Sequence, residues 1–430
     1  MASSFTFILL STLLVLSPAL AKTSFRPKAL VLPVTKDPKT LQYLTHLNQR
    51  TPLVPVSLTL DLGGQLFWVD CEQAYVSSTY RFPRCHSAQC SLAGSKLCGE
   101  CFSSPQIGCN NNTCLLMPEN RITGPKFPAE LSSDIVSIQS TDGSNPGRAA
   151  SVPRFLFACT GQVMLYGLAD GVKGVAGLGR YKISLPSQLS AAFSFARKFG
   201  ICLSSGTGVV IFGDGPYVLL PGIDVTKKLM YTPLIRNPVG TIDRFFAHEG
   251  STDYYIGVKS IKINEKDVPI NKTLLSIDKE GRGGTMISSI NPYTVLETSI
   301  YKAVTKFFAK ELAGIRKAKA VAPFKLCYKA DDLGSTRVGA AVPPIDLVLQ
   351  NENVTWRIFG ANSMVNVKDD ILCLGVVEAE EETRASIMIG GHTIEDNLLQ
   401  FDLARSRLGF SSSLLFGRTT CANFNFTSNA

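Results

Sequence analysis

No segment beyond the N-terminus of this 430-residue chain approaches the roughly 20 uninterrupted apolar residues that a membrane-crossing helix needs, so no span is expected. Long runs of Lys or Arg are also missing. The formal charge of +9 is scattered, which argues against nucleic acid as a partner and points to an acidic partner or an acidic matrix. Cys98-Gly-Glu-Cys101 has the spacing of zinc ligands, but no second pair and no His-x3-His accompanies it. A metal site is therefore not expected, and no cofactor is. Helical patterns are few, and neither low-complexity tracts nor short-period repeats occur.

What is present begins with a leader. Phe5 to Pro18 is apolar and uncharged, and Ala19-Leu20-Ala21 follows as a small-x-small cleavage signal. Residues 1–21 read as a secretory signal peptide, giving a secreted monomer in the extracellular space or cell wall. Twelve cysteines behind such a signal imply disulfides. Eight lie early (Cys71, Cys85, Cys90, Cys98, Cys101, Cys109, Cys114 and Cys159), while Cys202, Cys327, Cys373 and Cys421 remain for longer closures. Sequons at Asn111, Asn271, Asn353 and Asn425, each Asn-x-Thr, mark surface loops where they are used.

Roughly 410 mature residues exceed one core and imply two lobes. Short alternating runs such as Val209-Val210-Ile211-Phe212-Gly213 and Tyr254-Tyr255-Ile256-Gly257-Val258, punctuated by turn residues, predict an all-β architecture. Helices are expected from Pro186 into Phe195 and from Pro292 through Leu312, the second carrying an apolar stripe of Val295, Leu296, Ile300, Val304, Phe307 and Phe308. Proline and glycine between Gly215 and Thr232 place the lobe boundary there, giving lobes 22–220 and 221–430.

The run "LTLDLGGQLFWV", with Asp61 at its centre, resembles the first active-site strand of pepsin-like aspartic proteases. "GVAGLGRYKISLPSQL", "YTPLIRNP", "YYIGVKSIKINEKDVPIN" and "IGGHTIEDNLLQFDLARSRLGFS" are similar to stretches of the plant branch of that family. The likeness covers essentially the whole mature chain. It implies an all-β, bilobal, disulfide-rich pepsin-like fold with a few short helices.

Those enzymes use two aspartates, one per lobe, that share a proton and activate a water; so close together, both cannot ionise. Here the second lobe offers "GGTMISSINPYTVL", which puts Ser288 at the aspartate position and Ile290 at the glycine. A serine hydroxyl does not titrate near neutral pH, so Asp61 is expected to be a relic. Leu62 and Gly64 replace the Thr and Ser that flank the family's aspartate, and Asn120 stands near the place of the flap tyrosine.

Together with the tail "RTTCANFNFTS", these departures resemble one plant group. It comprises extracellular dermal glycoproteins, basic seven-S globulins and proteinaceous inhibitors of xyloglucanases and xylanases. The resemblance implies an inhibitor of a secreted microbial glycoside hydrolase, family-twelve xyloglucanase first and family-eleven xylanase second, rather than an enzyme. Matching the group's inhibitory loops gives Arg337 in "LGSTRVGAAVPP" and Arg418 in "LLFGRTTC". A guanidinium suits the paired carboxylates of a glycosidase because its planar fork meets a carboxylate with two hydrogen bonds. The plainer alternative for each is a solvated arginine. His392 reads as a turn residue, Trp68 and Trp356 as core, and Arg316-Lys317-Ala318-Lys319 as a solvated basic face. Two other functions stay open: a storage or ligand-binding globulin, and an endopeptidase with residual activity resting on Asp61.

Overall fold

The computed structural model describes residues 25–240, 250–351, 353–380 and 383–427, so the leader expected at 1–21 lies outside the described residues. Strands dominate, as the alternating runs predict. Along Tyr43–Gln49 every second residue, starting with Tyr43, is buried, the period-two pattern of a strand with one face on a core. Ala29–Lys36, Tyr43–Gln49 and Val54–Asp61 form an antiparallel ladder. No helix among the described residues is long and apolar enough to cross a membrane.

The two halves repeat one arrangement. Val54–Asp61 runs parallel to Gly174–Gly177, with Asp61 opposite Gly177. In the second half Thr285–Ile287 runs parallel to Ile387–Ile389, with Ile287 opposite Ile389. Asp61 and Ser288 therefore sit at matching strand ends. Between the halves, Thr207–Gly213, Lys198–Cys202, Leu398–Asp402, Arg407–Phe410 and Met230–Ile235 pair in that order. Phe199 stacks on Phe401 at 5.0 Å and Tyr254 packs on Phe401 at 4.5 Å, so the seam between the lobes is an apolar core.

Disulfides staple this frame. The eight early cysteines pair as Cys71–Cys159, Cys85–Cys98, Cys90–Cys114 and Cys101–Cys109. Cys98 and Cys101 thus belong to different bridges. Cys327 bonds Cys373, and Cys202 bonds Cys421 across a separation of 219 residues, tying the C-terminal segment to the seam.

One helix differs from its expected bounds. The helix expected from Pro292 runs instead over Thr298–Glu311. Val295 and Leu296 belong to the strand Thr294–Leu296, which pairs with Val376–Glu378. Glu297 then stops the strand and caps the helix, its carboxylate accepting from the backbone N–H groups of Ser299 and Ile300. Adjacent apolar residues fit either period, and this cap decided between them. Ile300, Tyr301, Val304 and Phe308 form the buried stripe. The other helix, Leu185–Phe193, falls where expected, and Trp68 and Trp356 are core residues at 1% exposure each.

Candidate functional site

Asp61 ends its strand almost fully buried, at 2% exposure. Its Oδ1 accepts from the backbone N–H of Gly63 and from Nη1 of Arg121, both at 3.1 Å. The other arm of Arg121, Nη2, donates to Oδ1 of Asp253 at 2.7 Å. One guanidinium therefore sits between two carboxylates, one from each half of the chain. Glycine at position 63 leaves room for this pair, since a Cβ there would lie 2.0 Å from Asp253 Oδ1 and 2.2 Å from Arg121 Nη1 and would push one of them aside. Burial pushes the Asp61 carboxyl above its ordinary value, Arg121 pulls it back, and Asp253 and Glu119 push it up again. Burial alone would loosen the proton on Arg121, but Asp253 and Asp61 outweigh it and hold the proton more tightly.

Arg121 belongs to the segment where the sequence offers Asn120 in place of a flap tyrosine. Asn120 is structural: wholly buried, it donates through Nδ2 to the carbonyls of Met164 at 2.9 Å and Tyr166 at 2.8 Å. Glu119 and Lys126 pair at 3.2 Å and close the hairpin from which Arg121 reaches inward. Between this hairpin and Gly63 lies a cavity of about 30 Å³ lined by Trp68, Met117, Glu119, Arg121 and Asp253. The indole Nε1 of Trp68 is buried without a partner among the described residues. Space of that size suits about one water, not a peptide.

Ser288 does not face Asp61 with a free hydroxyl. Its Oγ donates to Asn291 Oδ1 at 2.8 Å and accepts from the N–H groups of Ile290 and Asn291, both at 3.2 Å. Ser289 crosses the lobes instead, donating to the Leu60 carbonyl and accepting from the Leu62 N–H, each at 2.8 Å. Ser289 clasps the residues on either side of Asp61, so Ser288 stands where a second carboxyl would complete a proton-sharing pair. Leu62, with its side chain wholly buried, has no hydroxyl to return the clasp. An acid does approach Asp61, namely Asp253, but only through an intervening cation.

Arg337 and Arg418 are both exposed, and neither side chain has an ion pair or hydrogen bond among the described residues. Arg337 tips the hairpin of Ser335–Thr336 and Gly339–Ala340. Arg418 closes the short 3-10 turn Leu414–Gly417 in the left-handed conformation, φ 57°. The two turns, distant in sequence, rest on one strut. Ala361 N–H donates to the Val338 carbonyl at 2.7 Å, and the Phe359 ring packs edge-on against Phe416 at 4.9 Å. A Cβ on Gly339 would lie 2.1 Å from Ala361 N, so only glycine lets the hairpin seat this closely. Phe416, two residues before Arg418, is half exposed.

His392 is more than a turn residue. It lies in the helix Gly391–Ile394, with Nε2 2.9 Å from the Met364 carbonyl and Nδ1 3.4 Å from Glu395 Oε2. Glu395 Oε1 also accepts from Lys36 Nζ and from the Tyr43 hydroxyl, each at 2.8 Å, which joins the two halves through a buried carboxylate. Burial acts to raise the Glu395 pKa, yet His392 and Lys36 outweigh it and hold it below the ordinary range. Within the expected basic face, Arg316 forks onto Asp332 at 2.7 and 2.8 Å. Asn111, Asn271 and Asn353 are exposed and Asn425 is half exposed. Arg121, Asp253 and the strut were missed from sequence. The one available signal was a charged residue, Arg121, directly after the asparagine that stands near the place of the flap tyrosine.

A two-lobed β fold with matched strand ends, Asp61 closing one and Ser288 following the other, defines a pepsin-like protein. Comparison with known proteins agrees. Residues 43–214 match the model described as "Xylanase inhibitor N-terminal", and 253–412 match "Xylanase inhibitor C-terminal". The chain belongs to this xylanase-inhibitor-like family of pepsin-fold proteins. It is 64% identical to a Nicotiana benthamiana protein named "Probable aspartic proteinase GIP2", covering 98% of each chain. It is similar to the crystal structure of EDGP (58% identity, TM-score 0.92, 94% of this chain and 100% of that one). The soybean basic 7S globulin structure also matches, at 38% identity and TM-score 0.81 over the same shares. An aspartic proteinase from Irpex lacteus, 14% identical with TM-score 0.56 over 92% of this chain, shares the fold alone.

Proposed function

We propose that the chain is a secreted, catalytically silent pepsin-fold protein that inhibits microbial glycoside hydrolases, xyloglucanases first and xylanases second. Arg337 and Arg418 enter the target's cleft and meet its paired carboxylates. The observation that carries this reading is two exposed guanidinium groups, unpaired among the described residues, on turns that meet the same short segment, Phe359 to Ala361. A preorganised cation loses little freedom on docking, and its fork matches a carboxylate. The closed site around Asp61 supports the same reading, because Arg121 occupies the space between the acids. Family membership supports a glycoside hydrolase partner in general.

The test is inhibition of purified fungal xyloglucanases and xylanases by wild type, Arg337→Ala and Arg418→Ala. Truncating one partner of a desolvated charge pair costs about 2 kcal/mol or more, so each variant should weaken inhibition about 30-fold or more, with its melting temperature unchanged. Unaltered inhibition by both variants removes these residues from the site. A second reading, a storage or ligand-binding globulin, draws on the similarity to soybean basic 7S globulin. Failure to inhibit any endoglucanase, with accumulation in seed protein bodies, would favour it. The name of the Nicotiana relative keeps a third reading, residual proteolysis, testable by pepstatin-sensitive cleavage at acid pH.

A further inference from the structure

We infer that the Cys85–Cys98 bridge is a site of thiol–disulfide exchange, where a small thiol is joined to Cys85 while His86 hands a proton to the departing sulfur of Cys98. Four of the six disulfides are closed to solvent, each of their eight cysteines being 5% exposed or less. Cys101–Cys109 is half-buried at both ends. Among the described residues only Cys85–Cys98 has an exposed end, at Cys98, with Cys85 half-buried. Access therefore singles out one bridge.

A second, independent feature lies at the same bridge. The imidazole of His86 is exposed, and its Nε2 lies 3.6 Å from Cys98 Sγ, with Cys85 Sγ in the same small group of atoms. Two sulfurs bonded to each other offer a metal no thiolates, so this group is a redox centre and not a metal centre. Exchange is faster when the leaving sulfur is better stabilised. A neighbouring imidazole favours the thiolate and can pass it a proton. At Cys101–Cys109 the corresponding neighbour is the Ser103 hydroxyl, 3.3 Å from Cys101 Sγ and 3.9 Å from Cys109 Sγ, which is a far weaker acid. The frame does not depend on the Cys85–Cys98 bond. Cys98 sits in the strand Leu97–Gly99, which pairs with Thr113–Leu116, and the Cys85 N–H donates to the Asn112 carbonyl at 2.8 Å. Cys90–Cys114 fastens the loop between them, so both cysteines stay anchored when the bridge opens.

The co-reactant is a low-molecular-weight thiol. Its thiolate attacks Cys85 Sγ, the S–S bond breaks, and the electron pair goes to Cys98 Sγ. His86 Nε2 gives that sulfur a proton and recovers one from water. The products are a mixed disulfide at Cys85 and a free thiol at Cys98. One disulfide is lost and one is gained, so no further oxidant or reductant is needed.

The experiment exposes the purified native protein to glutathione at pH 7, quenches with an alkylating agent and maps every cysteine by peptide mass spectrometry over time. Glutathione should appear on Cys85, and the alkyl label on Cys98, before any other cysteine reacts. The variant His86→Asn suits the left-handed backbone at this position, φ 62°, and removes the ring. It should slow the reaction about three- to tenfold, with the melting temperature and the rate at Cys101–Cys109 unchanged. A different bridge opening first, or none opening, overturns the site. Glutathione on Cys98 instead of Cys85 overturns the assigned leaving group, and an unchanged rate in His86→Asn overturns the part given to the imidazole.

Discussion

Replacing Arg121 by methionine keeps most of the side-chain volume and removes the cation between Asp61 and Asp253. The two carboxylates are 3% and 13% exposed and the arginine side chain 25%. Deleting one partner of a fully buried pair costs about 3–5 kcal/mol. The quarter exposure of Arg121 and the capacity of Asp61 to take up a proton reduce this to about 2–3 kcal/mol. At an unfolding entropy of roughly 0.8 kcal/mol/K for a chain of this size, the melting temperature should fall by about 3 °C. Calorimetry from pH 4 to pH 7 reads it. The loss should be larger at the neutral end, because with Arg121 gone an ionised Asp61 has no cation and in acid it is neutral. Arg121→Lys should recover only part, since one ammonium cannot fork across two acids. An Arg121→Met protein that melts within 1 °C of wild type (roughly 1 kcal/mol or less) throughout that range would refute the claim that this arginine fastens the lobes.

Two further outcomes concern pH. The Asp61 pKa is raised by burial, so its contribution favours the fold below the unfolded value and is lost as pH rises through the folded one. Asp61→Asn should therefore melt higher than wild type at pH 7, and the gain should vanish in acid below the unfolded carboxylate range. Glu395 is the reverse, its pKa held down by His392 and Lys36 against burial, so its contribution is present above the unfolded value and lost as pH falls through the folded one. Glu395→Gln should melt lower than wild type near pH 6 and converge with it in strong acid; parallel curves would refute the assignment.

Much of the architecture was legible because strands announce themselves locally. The alternating runs, the turn residues between them and the strand-end motif around Asp61 are all short-range signals, and the register that put Ser288 opposite Asp61 needed only two strand ends. The helix start was misjudged because Val295 and Leu296 satisfy either period, and only the Glu297 cap separates them. Arg121 was not legible as a bridge. It meets Asp61 and Asp253 across 60 and 132 residues of sequence, and nothing in its neighbours announces either contact. The turns that carry Arg337 and Arg418 show the same limit: the segment they both meet is reached by a ring contact and a backbone bond between distant parts of the chain.

The guanidinium shared between Asp61 and Asp253 also bears on redesign of the site. An acid introduced at position 288 would not by itself share a proton with Asp61, because Oδ1 of Asp61 already accepts from Arg121. A second change, at Arg121, would be needed, and that change alone removes the cation between two mostly buried anions. A proton-sharing pair is therefore at least two substitutions away, and neither substitution made alone supplies it.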